Sequence, residues 1–155
     1  MDDADLRLAY AALAHTARAG TFDPPRSGEW TAAQVLAHVI VNDRAMCTVT
    51  AELLDDGEPS FSNEVAQQLV VLDAICASCD GLEPLIAEVE RQGRELCNLV
   101  QRLDETLASR TVSVHLTDHG EVRLQGPLPW RSILDTHAQR HLPAHTEQLA
   151  ALRTS

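Results

Sequence analysis

A chain of 155 residues is long enough for an apolar core of its own, and residues 1–155 are read as a single domain. Its formal net charge of −11 argues against nucleic acid or an anionic membrane as the main partner, since both are polyanions. Hydrophobic residues make up 45% of the chain and aromatic ones 3%, with alanine and leucine prominent, which favours helix over sheet.

The start, Met1-Asp2-Asp3-Ala4-Asp5, is acidic, where a signal peptide begins basic. Apolar runs fall far short of the roughly 20 residues needed to cross a bilayer. Both features predict a cytoplasmic protein. Cys47, Cys76, Cys79 and Cys97 lie in apolar helical patterns and are read as reduced core thiols.

The first helix is predicted from about Asp3 to Ala19, with Leu6, Ala9, Tyr10, Leu13 and Ala17 on one face. His15 lies off that stripe and is expected in solvent. Gly20 stops the helix, and Asp23-Pro24-Pro25 forms a loop. Helix two has the clearest start signal. Thr31 and Gln34 can form a capping box, and Trp30 can pack on Val35 as a hydrophobic staple. The helix is expected to run to about Leu54, with His38 two turns in on a mostly apolar face.

A short helix is expected at about 63–79 and a main third helix at about 82–107, separated by Asp80-Gly81. Thr111, Val112, Val114 and Leu116, then a Thr117-Asp118-His119-Gly120 turn, then Val122 and Leu124, read as a short β-hairpin ended by Gly126-Pro127-Leu128-Pro129. Trp130 opens a last helix that runs to about Arg153. The expected fold is all-α: a four-helix bundle with a short extra helix and a small β-hairpin before the last helix. Facing helices of such bundles often build metal sites in their core.

Seven histidines are present, and His137, His141 and His145 recur at four-residue spacing on the last helix. One turn apart on one face, a His-x-x-x-His pair can grip a transition metal. His137 and His145 are separated by about 12 Å of helix axis, so only an adjacent pair can share an ion. The pair is His137 with His141, or His141 with His145. His15, His115 and His119 suit a third ligand poorly, and His38 is the best candidate. Three neutral imidazoles with an open position make a catalytic type of zinc site. Pro143, between His141 and His145, lacks an N–H and is expected to bend the helix.

Trp30-Thr31, with Val35-Leu36-Ala37-His38, resembles the start of helix two in the DinB/YfiT-like superfamily, which includes the mycothiol-dependent maleylpyruvate isomerases. His141 and His145, followed by Gln148-Leu149 and Leu152-Arg153, resemble the end of that family's last helix. The resemblance implies a four-helix bundle holding a divalent metal, zinc or nickel, with His38, His141 and His145 as ligands. His137 is then left with a supporting or surface role. It also implies a low-molecular-weight thiol such as mycothiol or bacillithiol as cosubstrate, and a thiol S-transferase or isomerase acting on a small electrophile. The alternative is a non-enzymatic, metal-binding stress-response bundle of the same fold, dimerising through helix faces as a homodimer. Asn42 is a candidate contact to a ligand or substrate, and otherwise a polar residue at a helix contact. Glu147 is a candidate base, and otherwise a solvated residue beside the C-terminal turn; Asp135 is read as an ordinary first-turn acid of the helix. Cys76-Ala77-Ser78-Cys79 has the spacing of a redox or zinc pair, but both cysteines continue an apolar stripe, so core packing is expected.

Overall fold

The computed structural model describes residues 2–154. Helix α1 (Ala4–Arg18) buries Leu6, Tyr10, Leu13, Ala14 and Ala17, the expected face with Ala14 in place of Ala9. Helix α2 (Ala32–Leu54) starts at the predicted capping box: the Gln34 amide donates to Thr31 Oγ1 at 3.2 Å, and the Thr31 amide donates to Gln34 Oε1 at 2.9 Å. These bonds satisfy amides that the first turn leaves free.

Beyond α2 the chain departs from expectation. Strand β1 (Ser60–Ser62) comes first, then a 3₁₀ turn (Val65–Gln67) and helix α3 (Leu69–Ala77), so the helix expected at 63–79 is shorter and starts later. Gly81, at φ 91°, breaks the chain before α4 (Leu82–Arg102). The helix expected to reach 107 ends at Arg102, because Asp104 caps a new one: its carboxylate accepts from the Leu107 amide at 2.8 Å, opening α5 (Glu105–Ala108).

Strands β2 (Thr111–Asp118) and β3 (Glu121–Pro129) form the expected antiparallel hairpin. His119 and Gly120, at φ 51° and 80°, make its two-residue turn. Positive φ at both positions matches the right-handed twist of the strands. The hairpin does not end at Gly126: β3 continues to Pro129, with Pro127 opposite Ser113. Strand β3 lies at the edge of the sheet, where a residue without an N–H is tolerated. The all-α expectation is corrected by β1, which pairs in parallel with β2 to complete a three-stranded sheet in a mostly helical chain.

The last helical stretch is not one regular helix. Helix α6 (Trp130–Thr136) passes into a π-helical turn (His137–His141) and then α7 (Leu142–Ala151). The Leu142 amide donates back to His137 O, one residue further than in an α-helix. Pro143 falls in the first turn of α7, where a missing N–H costs nothing. The wide turn absorbs the proline.

Helix α4 packs on both α1 and α2, and α7 packs on α1 and touches α2. Their shared core includes Leu13, Leu36, Ile40, Leu85, Leu96 and Leu142. Trp130 is fully buried, edge-on to Phe61 of β1, and its Nε1–H donates to Thr50 Oγ1 of α2 at 3.0 Å. That contact fastens the sheet and the last helical stretch to α2. Among the described residues, no helix is long and apolar enough to cross a membrane.

Candidate metal centre

His38 lies on the inner face of α2, His141 ends the π-helical turn, and His145 lies one turn into α7. One nitrogen from each falls within 4.8 Å of the other two. The structure thus brings together the three residues that the sequence nominated. The His38 and His141 Nε2 atoms are 3.0 Å apart, and those of His145 and His141 are 3.3 Å apart. Two nitrogens on a tetrahedral zinc, at bonds of 2.0–2.1 Å, are expected about 3.3 Å apart.

The sheet helps to aim His38. Asn63, just after β1, is clamped to β2: its Oδ1 accepts from the Thr117 amide at 2.8 Å, and its Nδ2 donates to Thr117 O at 3.0 Å. Gln67 also donates to Thr117 O. The 3₁₀ turn held between them presents Ala66 O, which accepts from His38 Nδ1 at 2.7 Å. A carbonyl can only accept, so His38 carries its proton on Nδ1, and its Nε2 lone pair faces the other histidines. His145 is set the same way, its Nδ1–H donating to Gln148 Oε1 at 2.9 Å. Such bonds to the far nitrogen are how ligating histidines are oriented.

Burial keeps the rings uncharged. His38 is lowered to about 4, first by burial and then by the neighbouring His145. His141 is pushed well below the usual imidazole range by burial and then by His137. His145 is also lowered by burial, with its bond to Gln148 working in the opposite direction. Neutral imidazole is the form that binds metal.

The donor set fits a cation on a second ground. His38 and His145 both turn lone pairs toward His141 Nε2. A neutral His141 has one proton, which can serve only one of them at a time. Placed on Nε2, that proton leaves Nδ1 buried as a bare acceptor, and Nδ1 has no partner among the described residues. Placed on Nδ1, it leaves three lone pairs converging. A cation among the three nitrogens accepts all three lone pairs, with the His141 proton left on Nδ1.

The histidines form the floor of an open cleft of about 1320 Å³. One wall is the 23–30 loop. It is pinned to the end of α7 by the Asp23 amide donating to Leu152 O at 2.8 Å and the Thr154 amide donating to Thr21 O at 3.0 Å. The β2–β3 turn and residues 63–69 form the opposite side. Trp30 lies over the histidines, its ring centroid 4.8 Å from that of His38 and 6.4 Å from that of His145. The rim carries Asp23, Glu29, Glu64 and Asp118 against Arg26.

Other sequence candidates fall elsewhere. Asn42 is buried, and its Nδ2 donates to Met46 Sδ at 3.4 Å, so it is a polar residue within the helix packing. Glu147 and Asp135 are exposed. His15 and His119 are exposed, and His115 pairs with Glu64 at 3.5 Å. All four cysteines are free. Cys47 and Cys97 are buried; Cys76 and Cys79 are only half-buried. His137 is not at the surface. It is 3% exposed, with Nε2 at 3.0 Å from Asp43 Oδ1 and 3.1 Å from the Tyr10 hydroxyl.

Sequence reasoning passed over Asp43 and the far-nitrogen partners Ala66 and Gln148. Gln148 entered only as part of a resembling motif; its spacing of three from His145 was the available signal for its role. Comparison of the chain with protein-family models, with curated proteins and with solved structures finds no match.

Proposed function

We propose that His38, His141 and His145 hold a divalent metal, zinc before nickel, and that the chain is a metal-dependent S-transferase or isomerase using a low-molecular-weight thiol. The observation that carries this reading is the convergence of three neutral imidazoles on the floor of an open cleft. A closed structural site has no open side; a catalytic one keeps it. The motifs around Trp30 and Gln148 support assignment to the DinB/YfiT-like superfamily. The packing of α1, α2, α4 and the α6–α7 stretch supports that family's four-helix bundle, here with a sheet added.

A divalent ion held there supplies Lewis acidity and keeps a thiol deprotonated near neutral pH. The chain's own groups do the rest. Ala66 O and Gln148 hold two of the imidazoles in the binding tautomer. Trp30 covers one side of the histidines, and the cleft admits a thiol and an electrophile from the other. In transfer, sulfur bonds to the electrophilic carbon, the leaving group departs with its electron pair, and the thiol proton passes to solvent. In isomerisation, the same bond forms and later breaks, returning the thiol. The acidic rim repels anions, so an uncharged thiol such as mycothiol is favoured over a polyanionic one.

The test is turnover of an activated aryl halide and of a cis-enone by zinc- or nickel-loaded protein, with a panel of bacterial thiols. Metal-dependent turnover, faster with uncharged thiols, is expected. A loaded protein inert with every thiol would leave a metal-binding, non-enzymatic protein as the better reading.

A further inference from the structure

A carboxylate with no exposed surface sits beside His137, whose ring neighbours that of His141. Asp43, on α2, is 0% exposed. The Tyr10 hydroxyl donates to its Oδ2 at 2.9 Å. Its Oδ1 lies 3.0 Å from His137 Nε2 and receives no aligned hydrogen bond. Among the described residues no arginine pairs with it, and His137 is its only basic neighbour. The cluster is built with care for space. Tyr10 reaches Asp43 across α4 at Gly93, where a Cβ would fall 2.8 Å from Tyr10 Cγ. Only a residue without a side chain lets the ring pass.

A buried carboxylate needs a compensating positive charge. A dication on three neutral imidazoles is stabilised by a negative charge nearby, and none of the three side chains supplies one. The two requirements are complementary, and His137 links them. Its ring centroid is 4.9 Å from that of His141, with 31° between the planes. Among the described residues, His141 is also the one histidine of the three whose far nitrogen has no partner. It is positioned by the neighbouring ring instead of by a hydrogen bond.

We propose that Asp43, held by Tyr10 and His137, is the negative charge of the metal centre, acting through His137 on His141 to position that ring and to strengthen divalent-cation binding. Asp43 is a positioning residue: it touches neither the cleft nor the three ligating nitrogens. The inference rests on the metal-binding reading above.

The test measures zinc and cobalt(II) affinity at fixed pH and ionic strength, by competition with a chromophoric chelator. Wild type, Asp43→Asn and Tyr10→Phe are compared. Asp43→Asn is expected to weaken binding about 10- to 100-fold, the range for groups that support metal ligands. Tyr10→Phe removes the buried hydrogen bond to Asp43 but keeps the charge, and is expected to stay within about 3-fold of wild type on the same scale. A purely structural role would move both variants together. Equal losses in the two variants, or wild-type affinity in Asp43→Asn, overturn the proposal. Should Asp43→Asn not fold, His137→Gln removes the ring against His141 and leaves Asp43 in place. It is expected to lose at least about 10-fold, and unchanged affinity overturns the proposal. If wild type itself binds no metal, the reading beneath fails, and this inference with it.

Discussion

His141→Ala is expected to remove metal binding while leaving the fold in place. His141 is the central residue of the proposed site, with its Nε2 at 3.0 Å from that of His38 and 3.3 Å from that of His145. Its loss leaves two nitrogens on different helices with nothing between them. Since removing a group that merely supports a ligand costs about 10- to 100-fold in affinity, removing the central ligand is expected to cost more than about 100-fold. The effect on stability follows by mass action. At free zinc 100 times the wild-type Kd, binding stabilises the native chain by about 2.7 kcal/mol, and His141→Ala is expected to lose nearly all of it. Without metal, the variant loses a buried ring but also a buried unpartnered nitrogen, so its melting temperature is expected to change far less. Thermal denaturation with and without zinc checks both halves. His15→Ala, at an exposed position of α1 away from the cleft, serves as the control and is expected to behave as wild type.

Acid destabilises the metal-free protein in a window set by these histidines. His38 titrates at about 4 in the folded chain, against 6.5 for a free imidazole, because burial disfavours its cation. Below pH 6.5 the unfolded chain takes up a proton that the folded chain refuses. The stability this represents is whole above pH 6.5 and is lost as pH falls to about 4. For His38 alone the loss amounts to about 3 kcal/mol. His141 and His145 are shifted in the same direction and add to it. Carboxylates act lower down. Glu88, held at about 2 chiefly by its hydrogen bonds from Arg91, contributes stability that is lost only below pH 4.5. Urea denaturation of chelator-treated protein between pH 7 and 4.5 is expected to show a steep fall in the wild type and a shallower one in His38→Gln. Equal slopes would mean that burial of His38 does not set its titration.

The three histidines were legible because each belongs to a strong local pattern. Thr31 and Gln34 fix where α2 begins and so place His38, and the four-residue spacing places His141 and His145 together. The hairpin was legible from its alternation and its His119-Gly120 turn. Strand β1 was not, since Ser60-Phe61-Ser62 is too short for a period, and its pairing depends on β2, some fifty residues later. The π-helical turn left a single clue, Pro143, which announces an irregularity without saying where the chain absorbs it. Least legible was the Tyr10–Asp43–His137 cluster. It joins three helical segments distant in sequence, and it depends on a glycine in a fourth helix whose role is only to leave room.

The proposed chemistry requires a metal among His38, His141 and His145. Crystals grown with zinc, with data collected on both sides of the zinc absorption edge, test this most directly. One strong anomalous peak per chain is expected, about 2.0–2.1 Å from a nitrogen of each of these residues and open to the cleft. A peak on His137 and Asp43 instead, or no peak at saturating zinc, would contradict the proposed site.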